Sequence, residues 1–513
     1  MLLFLSLLLC LSSFLPPSLS QPPKGLLINC GTSVRSIIEG REWQPDTDYI
    51  STGTSKTVTT PGLREILTTV RSFPLSGRKF CYTVPVYRPG KYLIRTTYFY
   101  GEVNGDDVLP PVFDQIVDGT FWSVVNTTDD YRKGLSSYYE GVFTPTGKTM
   151  SVCLGVNSYT ESDPFISGLE FVILGDSLYN STNFGAYGLS LVARHSFGYD
   201  GTIIKYPDDQ YDRFWEPFGE YNPILTRAGN VSVSGFWNLP PLKSFETKLT
   251  VAEPKDLTVQ WPPSSLPNST YYIALYFAED SDSSSGVSRV FNISINDVLF
   301  MRELSVIPDG VVVYAKEWPV AGPMTIKLTP ASGSTLGPLI NAGEIFDLVR
   351  LGGKTHTKDV IALERLRKSF RNPPLDWSGD PCLPRQYSWT GVTCSGGNKT
   401  RVTALNLTSM ALSGSLSPSI ANLTALTDIL LGNNSLSGYI PDLSPLKGLA
   451  IVHLEKNLFS GAIPPSLGSM DTLRELFLQE NNLTGQVPNS LTGRPDLDLR
   501  LSPGNSFSSP PPS

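Results

Sequence analysis

The sequence predicts a mainly β protein, two tandem β-sandwich lobes followed by a short solenoid of repeated coils. Three observations carry that expectation. Charged residues are only 17% of the 513, while 44 Gly, 42 Pro and 11% aromatics favour short strands and turns over long helices. From Gly25 to about Gly352, runs such as Lys91-Tyr92-Leu93-Ile94-Arg95-Thr96-Thr97-Tyr98 are set between Gly, Pro and Asn turns, the texture of a two-sheet sandwich. Near the C-terminus Leu412-Ser413-Gly414, Leu436-Ser437-Gly438, Phe459-Ser460-Gly461 and Leu483-Thr484-Gly485 recur every 23 to 24 residues, and such a period means stacked coils.

In chain order, residues 1–20 read as a signal peptide. Leu2 to Leu15 is almost wholly apolar, then come Pro16-Pro17 and small residues at Ser18 and Ser20. The run falls short of the ~20 residues that span a bilayer, and no later stretch reaches that length. The expectation is a secreted, extracellular protein, released or peripheral at the plasma membrane. Ten N-x-Ser/Thr sequons agree with a secretory route: Asn126, Asn180, Asn230, Asn268, Asn292, Asn398, Asn406, Asn422, Asn433 and Asn482.

Residues 21–180 and 181–352 read as the two lobes. Gly90 to Glu170 and Tyr271 to Phe346 look like rough copies of one unit, with Pro164-Phe165-Ile166-Ser167-Gly168 answered by Pro338-Leu339-Ile340-Asn341-Ala342-Gly343. Residues 353–375 hold a linker helix, with Val360, Leu363, Leu366 and Phe370 on one face and Pro373-Pro374 ending it. Residues 376–397 form a lid for the open end of the coils, with Trp377 and Trp389 and a staple between Cys382 and Cys394. Cys81 with Cys153 is preferred over pairings through Cys30, and the sequence leaves that choice open. Residues 398–504 carry four repeats and a degenerate fifth. Asn434, Asn457 and Asn481 form a ladder whose amides satisfy backbone groups of neighbouring coils. Residues 505–513 read as a frayed Pro/Ser-rich tail.

The SGxIP element resembles the plant-specific class of extracellular leucine-rich repeats. Phe80-Cys81-Tyr82-Thr83, Tyr100-Gly101, Phe113-Asp114, Val152-Cys153-Leu154 and Pro164-Phe165-Ile166-Ser167 resemble the first lobe of plant malectin-like domains, and Tyr276-Phe277-Ala278-Glu279 resembles the second. With Gly379-Asp380-Pro381-Cys382 between lobes and repeats, the order is similar to the ectodomain of the malectin-like leucine-rich-repeat receptor kinases, including the symbiosis receptor kinases. Kinase-less receptor-like proteins of this layout would be the nearest kin. The resemblance implies non-catalytic recognition in plant cell-surface signalling, in the apoplast or cell wall, with a cell-wall glycan, a peptide or a receptor-kinase ectodomain as partner. The alternative is a structural protein that adheres to wall polysaccharide. Malectin itself carries aromatics in the loop after its FAE strand, whereas this chain has Asp280-Ser281-Asp282-Ser283 and, in the first lobe, Glu102-Val103-Asn104.

Sugar recognition needs an aromatic face and polar groups that fix hydroxyls. In the first lobe Tyr98, Tyr100 and Trp122, with Asp114 and Asp163 placed by the family layout, are the candidates. On the repeats, strand alternation turns Leu430, Ile451, His453, Glu455, Glu475, Phe477 and Gln479 onto the concave face, with Asn406, Leu430, His453 and Phe477 in one stripe suited to a peptide or protein. A glycan on Asn406 would confine a partner to the later coils.

A formal charge of -7, with no basic cluster beyond Arg365-Leu366-Arg367-Lys368, gives no footprint for nucleic acid. The three histidines, His195, His356 and His453, sit in no nucleophile or metal motif. Gly353-Lys354-Thr355 lacks the first Gly of a phosphate loop. No catalytic residue, metal site or cofactor is therefore expected.

Overall fold

The computed structural model describes residues 25–105, 108–219, 224–227, 231–279, 288–397 and 399–508. The signal peptide at 1–20, the sequons Asn230 and Asn398, the loop at 280–283 and the end of the tail at 509–513 lie outside the described residues.

One long sheet forms the spine of both lobes. Its strands run Ser36–Ile38, Arg41–Pro45, Gly25–Asn29, Gly168–Leu174, Lys91–Tyr98, Ser137–Phe143, Tyr187–Phe197, Ala342–Arg350, Leu266–Phe277 and Val311–Gly322, with Glu216–Phe218 beside Tyr187–Phe197. The two copies seen in the sequence occupy equivalent places. Lys91–Tyr98 lies between Gly168–Leu174 and Ser137–Phe143, as Leu266–Phe277 lies between Ala342–Arg350 and Val311–Gly322. Each half is closed by its own four-stranded sheet, Lys79–Pro85, Thr149–Gly155, Phe113–Val117 and Thr120–Val125 in the first, and Leu257–Gln260, Thr325–Pro330, Val290–Ile295 and Val298–Ser305 in the second. The halves are not separate beads. Gly141 and Val142 pair with Ser190 and Leu189, so the strand that would be the first lobe's exposed edge is covered by the second.

Across that seam runs a buried row of charge. Glu170, Arg95, Glu140, Arg194 and Glu344 sit on five consecutive strands, none more than 4% exposed. Arg95 meets Glu140 at 2.8 Å and Glu170 at 3.2 Å, and Arg194 meets Glu140 at 2.6 Å and Glu344 at 3.2 Å. The stretches on either side of Tyr187–Phe197 add Asp212, 3.1 Å from Arg95, and Tyr179, whose hydroxyl donates to Glu344 at 2.8 Å. Burial opposes the charge on Arg95, but Glu170, Glu140 and Asp212 outweigh it and hold its pKa above the usual arginine value.

The helix spans Thr357–Ser369 and buries Asp359, Ala362, Leu363 and Leu366, with Phe370 buried just past its end. Val360 is only half-buried and lines a cleft instead. Asp359 takes the inner place because its carboxylate accepts from Arg401 at 2.9 and 3.0 Å and from the Val402 amide at 2.9 Å. Cys382 is bonded to Cys394, Cys81 to Cys153, and Cys30 is a free, buried thiol. Trp377 and Trp389 stack at 5.1 Å over the first coil and join its apolar core.

Beyond this lid, Val402–Asn406, Asp428–Leu430, Ile451–His453, Glu475–Phe477 and Asp498–Arg500 form parallel strands along one face, and Ser413–Ser415, Ser435–Tyr439, Leu458–Gly461, Asn482–Gly485 and Ser506–Phe507 form the adjoining sheet. Asn457 shows how the ladder works. Its amide donates to the carbonyls of Leu431 and Leu454 and accepts from the Leu436 amide, tying its own coil to the preceding one. The tail expected from 505 onward begins later than the sequence suggests. Asn505 adds a rung, accepting from Leu483 at 2.9 Å and donating to Leu478 at 2.8 Å, and this draws Ser506–Phe507 into the sheet.

Candidate functional site

The first-lobe aromatics chosen from the sequence are core residues. Tyr98 is 0% exposed, edge-on to Phe113, Tyr139 and Phe165. Tyr100 is 1% exposed, packed on Tyr131 and Phe165, and its hydroxyl donates to the Val108 carbonyl at 2.8 Å. Trp122 is 4% exposed, with its indole N–H on Ser190 at 3.0 Å. No ring face is left for a sugar, because each side chain already fills the space between the sheets. The two carboxylates are also engaged. Asp163 caps the Leu75 amide at 3.1 Å, and Asp114 accepts from Asn157 at 2.7 Å and from the Tyr387 hydroxyl at 2.7 Å.

That last bond opens onto a joint between first lobe and lid which the sequence did not disclose. Lys79 donates to the Asp380 carbonyl at 2.7 Å, and Arg78 to the Gln386 carbonyl at 2.5 Å. Gly379, at φ +65, passes so close to the Cys81–Cys153 bridge that a Cβ there would lie 2.6 Å from the Cys81 sulfur. Only glycine satisfies both the left-handed backbone and that approach. Beside the joint lies a cleft of about 460 Å³ lined by Asp118, Ser151, Lys354, Thr357, Glu364 and Asp380, among others. Burial, with Asp380 adding to it, pushes the Asp118 carboxyl up to about 6, against hydrogen bonds from Ser151. Burial likewise pulls the Lys79 ammonium down to about 8.

The concave face of the coils is the second assembly of solvent-facing side chains. Asn406, Leu430, His453, Phe477 and Arg500 stand in register on successive parallel strands. His453 lies flat on Phe477, centroids 4.1 Å apart and planes 9° apart, and Arg500 sits over the same ring at 4.0 Å. His453 also reaches Glu475 through Nε2 at 2.9 Å. A neighbouring column holds Asp428, Ile451, Glu475 and Asp498. On the other side Glu455 lies across Gly432, where a Cβ would come within 2.1 Å of its carboxylate, and Gln479 follows it. The strand period placed these side chains from sequence. It missed Asp498 and Arg500, because the fifth coil carries the weakest repeat signature; Leu497 and Asn505 were the available signal.

Of the described sequons, Asn126, Asn180, Asn268, Asn406, Asn422, Asn433 and Asn482 are exposed and Asn292 is half-buried, its carbonyl oxygen accepting from the Glu303 amide at 2.9 Å. Among the described residues no helix is long and apolar enough to cross a membrane, and no group of three or more His, Cys, Asp or Glu is placed to hold a metal ion.

The malectin-like domain family model matches residues 28–348, covering both sandwich halves. The chain belongs to the malectin-like family. A second model, the leucine rich repeat N-terminal domain, matches 356–395, the helix and lid that follow the malectin-like region. Among curated relatives, the probable LRR receptor-like serine/threonine-protein kinase PAM74 of Arabidopsis thaliana is 31% identical over 419 residues, 78% of this chain and 46% of that protein. Another probable LRR receptor-like serine/threonine-protein kinase of the same plant is 32% identical over 431 residues, 80% and 49% respectively. This malectin-like chain thus spans about half the length of the curated relatives it matches. Solved structures share the malectin-like fold. The ANX2 ectodomain of Arabidopsis thaliana covers 63% of this chain with 96% of its own, at TM-score 0.53 and 17% identity. The plant peptide RALF23 in complex with FER and LLG2 includes a chain that superimposes over 64% of this one, at TM-score 0.52 and 20% identity.

Proposed function

We propose that this chain is a non-catalytic recognition ectodomain of receptor type, acting outside the plant cell, whose ligand is a peptide or the ectodomain of a partner receptor. Its coils form a short plant-type leucine-rich-repeat solenoid, and the concave face of that solenoid is the recognition surface. One observation carries the reading. Leu430, Ile451 and the His453–Phe477 stack form an apolar strip in the middle of a parallel sheet that faces solvent, bordered by charged side chains, the make-up of a protein-binding patch with an apolar centre and a polar rim. The malectin-like relatives named as receptor-like kinases, and the fold shared with a chain crystallised with a peptide and LLG2, favour the same class.

The competing reading is adhesion to wall polysaccharide, which the burial of Tyr98, Tyr100 and Trp122 disfavours. The two separate in a pull-down with the secreted chain as bait against wall polysaccharides, a plant peptide library and a panel of receptor ectodomains. Retention by peptides or ectodomains, lost in Phe477→Ala, is expected. Retention by polysaccharide alone would sink the receptor reading.

A further inference from the structure

Resting on the reading of the concave sheet as a recognition face, we propose that its partner is a basic peptide segment, whose lysine or arginine heads settle on Asp428 and on Glu455 while their aliphatic stems lie on Leu430 and Ile451. The argument begins with which charges on that face are already paired. Glu475 is held by His453 at 2.9 Å, and Asp498 by Arg500 at 2.7 Å. On the rims, Arg474 and Arg494 are held by Asp496 at 3.0 and 3.1 Å, and Lys456 faces Glu480 at 3.8 Å. Among the described residues two carboxylates on this face have no direct ion pair, Arg500 attracting Glu455 only from a distance. Among the described residues Asp428 accepts a hydrogen bond only from the Thr427 hydroxyl, at 2.6 Å. Glu455 is laid across the bare backbone of Gly432, and its Oε2 has no hydrogen-bond donor although it is sealed from water. Gln479 Oε1 beside it is likewise without a donor.

A half-buried carboxylate and amide oxygen left without donors are costly, and a partner that brings N–H groups to them relieves that cost. An acidic segment would meet like charge at the same place and be turned away. The apolar part of the face has matching geometry. Phe477 is flanked by His453 and Arg500 and is spent inside that stack. The open apolar contacts are Leu430, on the same strand as Asp428 and one coil from Glu455, and Ile451, in register with Asp428 and on the same coil as Glu455. Apolar surface ending in a carboxylate suits a long basic side chain, whose stem and head want those two environments. Arg500 is turned toward Phe477 and Asp498, so the fifth coil offers no free cation to compete for an acidic partner.

The test uses the whole secreted chain and three sets of twelve-residue peptides of matched apolar content, carrying three Arg or Lys, three neutral Gln, or three Asp or Glu, titrated by calorimetry at two salt concentrations. Basic peptides are expected to bind at least about tenfold more tightly than neutral ones and to weaken with salt, while acidic peptides show no binding. The Asp428→Asn/Glu455→Gln double variant is expected to lose about tenfold for basic peptides, leave neutral ones unchanged and flatten the salt dependence. Equal binding of basic and neutral peptides, abolished by Leu430→Arg, would overturn the basic-partner inference and leave the concave-face reading standing. Basic binding that survives both the double variant and Leu430→Arg would overturn both, as would failure of every peptide to bind. A circular dichroism melt unchanged in the variants separates these outcomes from misfolding.

Discussion

At the residue scale, the seam between the lobes is held by ions that a strand pattern alone does not explain. Arg95 lies in the middle of an otherwise apolar and Thr-rich strand, 0% exposed, with Glu140, Glu170 and Asp212 as its counterions. Removing one partner of such a set leaves the others buried and uncompensated, which costs about 3–5 kcal/mol. Arg95→Leu is therefore expected to lower the stability of the malectin-like part by that amount, seen as an earlier urea midpoint, whereas Arg132→Leu, on a surface pair with Asp129, stays within about 0.5 kcal/mol. Equal midpoints for the two variants would show that the buried row does not carry the seam. The sequence displays Arg95 as an anomaly in its strand, but its partners sit 45, 75 and 117 residues away, and nothing local announces them. The same limit explains the sugar candidates. An aromatic on a strand of known pattern is assigned a face only once the sheet above it is known, and here Tyr98 and Trp122 face inward.

Elements with a short period were legible, and those with long-range closure were not. Each coil repeats its leucines and asparagine within 23 to 24 residues, so inward and outward positions, and the stripe from Asn406 to Phe477, follow from the sequence. The ladder makes this checkable. Asn457 joins its coil to the preceding one through bonds to Leu431, Leu436 and Leu454, and Asn457→Ala strands the Leu436 amide inside the core, while the Leu431 and Leu454 carbonyls keep Asn434 and Asn481 as donors. The cost is about 1–3 kcal/mol for the stranded amide, and hydrogen exchange should rise at Leu436 and in the adjoining coils while the sandwich halves stay protected. Uniform loosening of the whole chain would contradict that locality. The fifth coil carries Asn505 and Phe507 at the expected offsets in the sequence, yet the boundary at 504 stops short of them, because the motif fades after Leu497 and the Asn505 rung needs the fourth coil in place to bond.

For the whole molecule, the decisive contact is the joint that fixes the malectin-like part to the lid of the repeats, because it sets how the concave face is presented. Tyr387 on Asp114, Lys79 on the Asp380 carbonyl and Gly379 against the Cys81–Cys153 bridge make it a packed interface rather than a hinge. The acid groups beside it make it responsive to pH. Asp118 is faced by Asp380 from the lid, Ser151 from its own sheet, Lys354 from the linker and Glu364 from the helix, and its carboxyl is raised to about 6 from an ordinary value near 3.8. A carboxyl raised on folding binds a proton more tightly in the native state, so its stabilisation is full below the unfolded pKa and is lost as pH climbs through 6. Lys79, lowered to about 8, stays charged throughout pH 5 to 7 and contributes no slope there. The joint should therefore be tighter at pH 5 than at pH 7 by about 1 kcal/mol. Hydrogen exchange at residues 376–389 should slow as pH falls, after correction for intrinsic rates; melting of the intact chain also carries His195, whose pKa burial pulls down to about 4 and which favours folding at the higher pH, so the effect is read at the joint itself. In Asp118→Asn the carboxyl is gone, and the difference between the two pH values should shrink by that same amount. If the variant keeps the full difference, Asp118 is not the group that senses pH; if the wild type shows the opposite sign, the carboxylate is stabilised by the cleft and the electrostatic reading of the joint is wrong.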